Sequence, residues 1–117
     1  MNKKPLIIAH RGASDHAPEN TMKSFALAAS MGADMIELDV HLTRDGVAVV
    51  NHDADLAYTT PPKGKIKNLP LEEIRSARFH GEPIPTLEEA ILFCRDKGIE
   101  MDIECKDEAA IGEIVRL

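Results

Sequence analysis

The sequence predicts an α/β fold in which short parallel strands alternate with helices, and three observations carry that reading. Leu6-Ile7-Ile8-Ala9 is an apolar run that stops abruptly at His10-Arg11-Gly12, the form taken by a buried parallel strand. The run Met35-Ile36-Glu37-Leu38-Asp39-Val40-His41-Leu42 alternates apolar and ionisable residues, the period of a strand with two unlike faces. A third run, Ile99-Glu100-Met101-Asp102-Ile103-Glu104-Cys105-Lys106, alternates in the same way, and stretches of helical spacing lie between the strands.

The first strand delivers two cationic side chains, His10 and Arg11, to its carboxyl end. That end is where open and closed α/β sheets keep their chemistry. Residues 21–31 read as a helix capped by Asn20 or Thr21, with Phe25, Ala28 and Ala29 at helical spacing and Gly32 as the stop. In the second strand Glu37, Asp39 and His41 share one face, and Ile36, Leu38, Val40 and Leu42 take the other. Two carboxylates at that spacing ionise together when a cation or a cationic substrate sits between them. An all-oxygen donor set suits a hard ion, Ca²⁺ or Mg²⁺. The bland alternative is an edge strand whose polar face meets water.

Asp45-Gly46 between two strand-like runs signals a hairpin. A hairpin is too short for a parallel crossover, so residues 47–51 are expected as an antiparallel flap, with Leu42 facing Val47, Val40 facing Val49 and Leu38 facing Asn51. The flap returns His52 to the level of Glu37 and Asp39. Residues 58–67, with Pro61, Pro62 and Gly64, read as a loop, and residues 71–79 as a short helix. Thr86-Leu87-Glu88-Glu89 is a capping-box pattern that opens a helix ended by Gly98. In the last strand Glu100, Asp102, Glu104 and Lys106 share one face, an arrangement for a polar barrel mouth or for a face turned to solvent rather than for a dry core. A further helix is expected from Asp107 onward.

Composition agrees with a globular enzyme: 44% hydrophobic residues and a net charge of −6. With no basic stripe, nucleic acid is not expected as a partner. The apolar run at residues 6–9 is too short for a membrane span, and Met1-Asn2-Lys3-Lys4 with that run makes a poor signal peptide. Cys94 and Cys105 fall in different elements and are read as two reduced thiols, which points to the cytoplasm. Their spacing to histidine fits no zinc pattern. His16 and His80 read as solvated loop residues, and His41 as a neighbour of the acidic pair.

The order His10-Arg11-Gly12, Pro18-Glu19-Asn20-Thr21, Glu37-x-Asp39, His52-Asp53 and Glu104-x-Lys106 resembles the glycerophosphodiester phosphodiesterases. Thr43-Arg44-Asp45-Gly46, Thr59-Thr60 and Ile84-Pro85-Thr86-Leu87 support it over almost the whole chain. Two departures stand out: Tyr58, where the family often has arginine, and Asp102, where it often has asparagine.

The resemblance implies a (β/α)₈ TIM barrel of the phospholipase-C-like phosphodiesterase type. Residues 1–117 would form its N-terminal portion, about three of eight β/α units in a fold of ~250 residues. The same resemblance implies that Glu37, Asp39 and Glu104 are the metal ligands, for a divalent cation, Ca²⁺ or Mg²⁺. It makes His10 and His52 the acid–base pair, Arg11 and Lys106 the phosphate contacts, and Glu19 and Asn20 part of the site lining. The expected reaction is metal-dependent hydrolysis of a glycerophosphodiester to glycerol 3-phosphate and an alcohol. Lysophospholipids or sphingolipids are the alternative substrates, and a non-catalytic half-barrel acting as an assembly module is the alternative of another class. Three strands leave an edge and an interior uncovered, so a further C-terminal segment or self-association is expected to complete the barrel.

Overall fold

The structure is a computed structural model that describes residues 6–106 and 108–117. The start at Met1–Lys4 and the expected helix-opening role of Asp107 lie outside the described residues.

Its centre is β2 (Met35–Leu42). Along one edge β2 pairs in parallel with β6 (Glu100–Cys105), in a register that sets Glu37 opposite Asp102 and Asp39 opposite Glu104. The other edge is shared. β1 (Ile8–His10) pairs in parallel with Met35–Glu37 and places His10 opposite Glu37, and β3 (Ala48–Val50) runs antiparallel against Val40–Leu42. β3 is thus a flap at the carboxyl end, as the hairpin signal implies.

The hairpin register differs by one residue from the expected one: Val40 pairs with Val50, His41 with Val49 and Leu42 with Ala48. Thr43 N donates to Val47 O at 2.9 Å and Gly46 N to Thr43 O at 3.1 Å, with Gly46 at φ 84°. This is a three-residue loop closed by a left-handed glycine. Its cause is the Asp45 carboxylate, which accepts from Thr43 Oγ1 at 2.6 Å and from Leu71 N at 3.0 Å.

Helix α1 (Met22–Ser30) is capped by Thr21, whose hydroxyl accepts from Ser24 N, and α3 (Leu87–Lys97) by Thr86, whose hydroxyl accepts from Glu89 N. Both helices pack on the apolar face of β2. Phe25 and Ala28 from α1, Ile36, Leu38 and Val40 from β2, and Leu87, Ala90 and Cys94 from α3 form one buried cluster. Val49 points the other way, into a second cluster with Leu56, Ile66, Ile74, Ala77 and Ile84 under the long loop.

The helix expected over residues 71–79 is shorter. It comprises α2 (Leu71–Ser76), and Arg78–Phe79 forms β4, paired with β5 (Glu82–Pro83). Thr60 takes over the backbone of residue 78: its Oγ1 accepts from Arg78 N at 2.7 Å, and its N–H donates to Arg78 O at 2.9 Å. A 3₁₀ turn, Glu108–Ala110, leads into α4 (Ile111–Arg116).

The first strand is less buried than its apolar sequence implies: Ile8 is 54% exposed. It is an edge strand, with β2 as its bonded neighbour among the described residues. The acidic face of β6 is also exposed, while Met101 and Ile103 pack against the core. Cys94 and Cys105 are both thiols, and burial pushes the Cys94 thiol up from its ordinary value. No helix of the described residues is long and apolar enough to cross a membrane.

Candidate active site

The carboxyl ends of β1, β2 and β6 converge on one buried carboxylate. Asp39 is 1% exposed. Its Oδ2 accepts from Asn20 Nδ2 at 2.9 Å and lies 3.1 Å from Arg11 Nε, while its Oδ1 lies 3.8 Å from Lys106 Nζ. A buried carboxylate is expensive unless paired and hydrogen-bonded, and these three groups supply the pairing.

Backbone geometry delivers them. Arg11 ends β1 with φ 57°, donating its N–H to Glu37 O at 2.6 Å, and its carbonyl accepts from Asn20 N at 2.8 Å and Ser24 Oγ at 3.1 Å. Gly12 follows at φ 82°, so tightly against α1 that a Cβ there would come within 2.8 Å of Ser24 Cβ. Only glycine accepts both constraints. Asn20, also left-handed at φ 55°, turns its amide toward Asp39. Arg11 Nη1 reaches Glu19 Oε2 at 3.0 Å. Arg11, Glu19, Asn20, Asp39, Lys106 and Glu104 therefore form one connected network.

On the β6 side, Lys106 Nζ donates to Glu104 Oε1 at 2.8 Å. That ammonium holds the Glu104 carboxyl below its ordinary value. The reciprocal hydrogen bond holds Lys106 above its own. Lys106 N also donates to Val40 O at 3.0 Å, extending the strand ladder by one residue.

The two predicted acid–base histidines each stand beside a carboxylate. His10 Nε2 is 3.3 Å from Glu37 Oε1, its partner in the strand register. His52 Nδ1 is 2.8 Å from Asp53 Oδ1. The flap is fixed next to the network because Asn51 N donates to Asp39 O at 3.0 Å. His41, 6% exposed, places Nε2 3.0 Å from the His52 carbonyl oxygen and so supports the backbone under His52.

Glu37, Asp39 and Glu104 lie on the same side of adjacent strands, but their present partners differ: Glu37 faces His10, Asp39 faces Arg11 and Asn20, and Glu104 faces Lys106. Among the described residues no group of three histidine, cysteine or acidic side chains is already gathered for an ion. The donor chemistry still fits a hard cation, since all three donors are carboxylate oxygens. Asn20 Oδ1, buried and without a partner, offers another hard oxygen close by. Sequence reasoning quoted Asp53 only as part of the His52-Asp53 motif, with no role, and did not single out Ser24. Asp53 was legible as the neighbour of His52; the reach of Ser24 to the Arg11 carbonyl depends on the packing of α1.

A model of the glycerophosphoryl diester phosphodiesterase family matches residues 10–116. The chain belongs to that family. A glycerophosphodiester phosphodiesterase of Caldanaerobacter subterraneus is 46% identical over 88% of this chain and 46% of its own length. Human glycerophosphodiester phosphodiesterase 1 is 38% identical over 87% of this chain and 34% of its own length. Among solved structures, an Oleispira antarctica phosphodiesterase in complex with the product sn-glycerol-3-phosphate superposes with a TM-score of 0.84 at 38% identity, over 96% of this chain and 52% of that one. The glycerophosphodiester phosphodiesterase of Thermotoga maritima does so with a TM-score of 0.84 at 33% identity, over 98% and 50%. The chain thus spans less than half the length of these two curated relatives, and its fold is the N-terminal half of the glycerophosphodiester phosphodiesterase TIM barrel.

Proposed function

We propose that the chain carries the phosphate-binding and proton-transfer groups of an enzyme that hydrolyses glycerophosphodiesters to glycerol 3-phosphate and an alcohol. The observation that supports this most is the pair of cations, Arg11 and Lys106, held at the sheet's carboxyl end by the buried carboxylate of Asp39. Asp39 and Glu19 orient the Arg11 fork through Nε and Nη1, and its remaining N–H groups suit phosphate oxygens. Lys106 adds a point charge from the opposite side.

The reaction needs one proton removed from the attacking hydroxyl, of water or of the substrate's own glycerol, and one delivered to the departing alkoxide. A bond forms from the attacking oxygen to phosphorus, the bond from phosphorus to the alcohol oxygen breaks, and the alcohol leaves neutral. His10 and His52 are the groups for those transfers, and Glu37 and Asp53 hold their rings in place. Glu37, Asp39 and Glu104 would hold a divalent cation, Ca²⁺ or Mg²⁺. When bound, such an ion supplies positive charge against the phosphate oxygens. Glu19 and Asn20 line the site and preserve the Arg11–Asp39 geometry.

Strands beside the outer edges of β1 and β6, from further chain or from a second copy, would close the barrel around this site. The thiol form of both cysteines suits a reducing compartment, and we place the protein in the cytoplasm. The test is release of glycerol 3-phosphate from glycerophosphocholine, with and without EDTA, alongside a solution mass. Release that EDTA abolishes and Ca²⁺ or Mg²⁺ restores supports the reading. Release indifferent to chelation removes the cation from it.

A further inference from the structure

We propose that His41 is the positioning residue for His52: its Nε2–H, donated to the His52 carbonyl oxygen, fixes where the proton-transfer imidazole stands relative to the sheet. This rests on the phosphodiesterase reading above and adds to it a residue that acts through the backbone of another.

His41 lies near the end of β2, two residues beyond Asp39, and is almost fully buried. A buried imidazole needs a hydrogen-bond partner, and the one it has is the His52 carbonyl oxygen, 3.0 Å from Nε2. A carbonyl oxygen only accepts, so the geometry makes His41 the donor and puts its proton on Nε2.

The path of the chain makes that bond matter. The flap leaves the β2 ladder at Val50, and Asn51 N to Asp39 O is its next bond to that strand. The following backbone bonds, Leu56 N to Gly64 O and Ile66 N to Ala54 O, close the loop on itself. Leu56 and Ile66 anchor the far part of the loop by packing on Val49. Residues 52–55 have no such anchor, since none of them is buried. Polar contacts alone place them. His52 Nδ1 meets Asp53 Oδ1 at 2.8 Å, and Asn51 Nδ2 donates to the Asp53 carbonyl oxygen at 2.9 Å. Both contacts join near neighbours in sequence and travel with the segment as one unit. His41 is eleven residues away and stands on the strand that carries Glu37 and Asp39, so it ties that unit to the sheet. Close packing does not do so, because the His52 ring is 40% exposed and borders a cavity of about 340 Å³ lined also by Tyr58, Phe79 and His80. A proton-transfer group acts only within hydrogen-bond reach of its proton, and a displacement of about 1 Å costs about 10²-fold in rate.

The test compares His41→Leu, which fills the space without a donor, with His41→Gln, which keeps an N–H at similar reach. Long-range proton–nitrogen NMR of the wild-type chain, at a pH above the ordinary imidazole range, should show the His41 proton on Nε2. In His41→Leu the His52 ring resonances should shift or split, and in His41→Gln they should return toward wild type. With glycerophosphocholine, His41→Leu should lower kcat per folded molecule about 10- to 100-fold with KM changed less than about threefold, and His41→Gln should recover kcat to within about threefold. A His41 proton on Nδ1, His52 signals unmoved by His41→Leu, equal losses of kcat in the two variants, or a change in KM alone each overturn the proposal. Should His41→Leu not fold, the wild-type tautomer and the His41→Gln variant decide it. A chain that shows the Nε2 proton and the His52 shifts but hydrolyses nothing counts against the phosphodiesterase reading alone. An active chain in which the Leu and Gln variants behave alike counts against the role of His41 alone.

Discussion

Asp39 and Glu104 face each other across the β2–β6 ladder, and the ammonium of Lys106 lies within 3.8 Å of the first and 2.8 Å of the second. One cation thereby bridges two carboxylates on adjacent strands, and its pairing with Glu104 sets a pH window.

The Glu104 carboxyl sits below its ordinary value near 4.5, so its share of stability is present above that pH and lost as pH falls through the lowered folded value. Lys106 sits above its ordinary value near 10.5, so its share is present below that pH and lost as pH rises through the raised folded value. The pairing is complete between those limits. Lys106→Met should return the Glu104 titration upward to the ordinary carboxylate range in a carboxyl-detected NMR titration. An unmoved Glu104 titration means the lysine is not its main partner.

Asp39→Asn leaves Arg11 and Lys106 facing each other without their shared anion. Both cations keep some access to water, so the loss should be about 1–3 kcal/mol, less than for a fully buried pair. Urea denaturation reads it directly. A midpoint equal to wild type contradicts the anchoring role given to Asp39.

Gly12 and Gly32 share φ 82° but differ in surroundings: a Cβ at Gly12 meets Ser24, and one at Gly32 meets nothing within 4 Å. Gly32→Ala should cost about 1–2 kcal/mol, from the left-handed backbone alone. Gly12→Ala should cost clearly more and lower the melting temperature further, because Ser24 sits in the capping turn of α1. Equal losses would mean that the turn relaxes away from the helix.

Thr86→Ala removes the hydroxyl that accepts from Glu89 N at 3.2 Å. The expected cost is about 1 kcal/mol, read as a shift in denaturation midpoint. No shift would indicate that the backbone bridge between Val49 and Thr86 holds α3 in place without the cap.

What was legible in the sequence was whatever depends on local period. Alternation along residues 35–42 and 99–106 forces Glu37, Asp39, Glu104 and Lys106 to one side of neighbouring strands, and the Thr86–Glu89 pattern marks the start of α3. What was not legible depends on distant partners. The hairpin register turns on the Asp45 carboxylate being drawn to Leu71 N. The end of α2 is decided by Thr60, eighteen residues before Arg78. The exposure of β1 reflects which strands lie beside it, and no residue of Leu6–Ala9 encodes that. The cavity beside His52 unites the 58–60 loop with the β4–β5 turn, two segments whose sequences separately suggest only loop.

The most direct measurement of the central claim is kcat/KM for release of glycerol 3-phosphate from glycerophosphocholine by the wild-type chain and by His10→Ala and His52→Ala, each first shown to be folded. Release by the wild type and a loss of about 10²–10⁴-fold in each variant are expected. No release by the folded wild-type chain, or release unchanged when both imidazoles are gone, contradicts that claim.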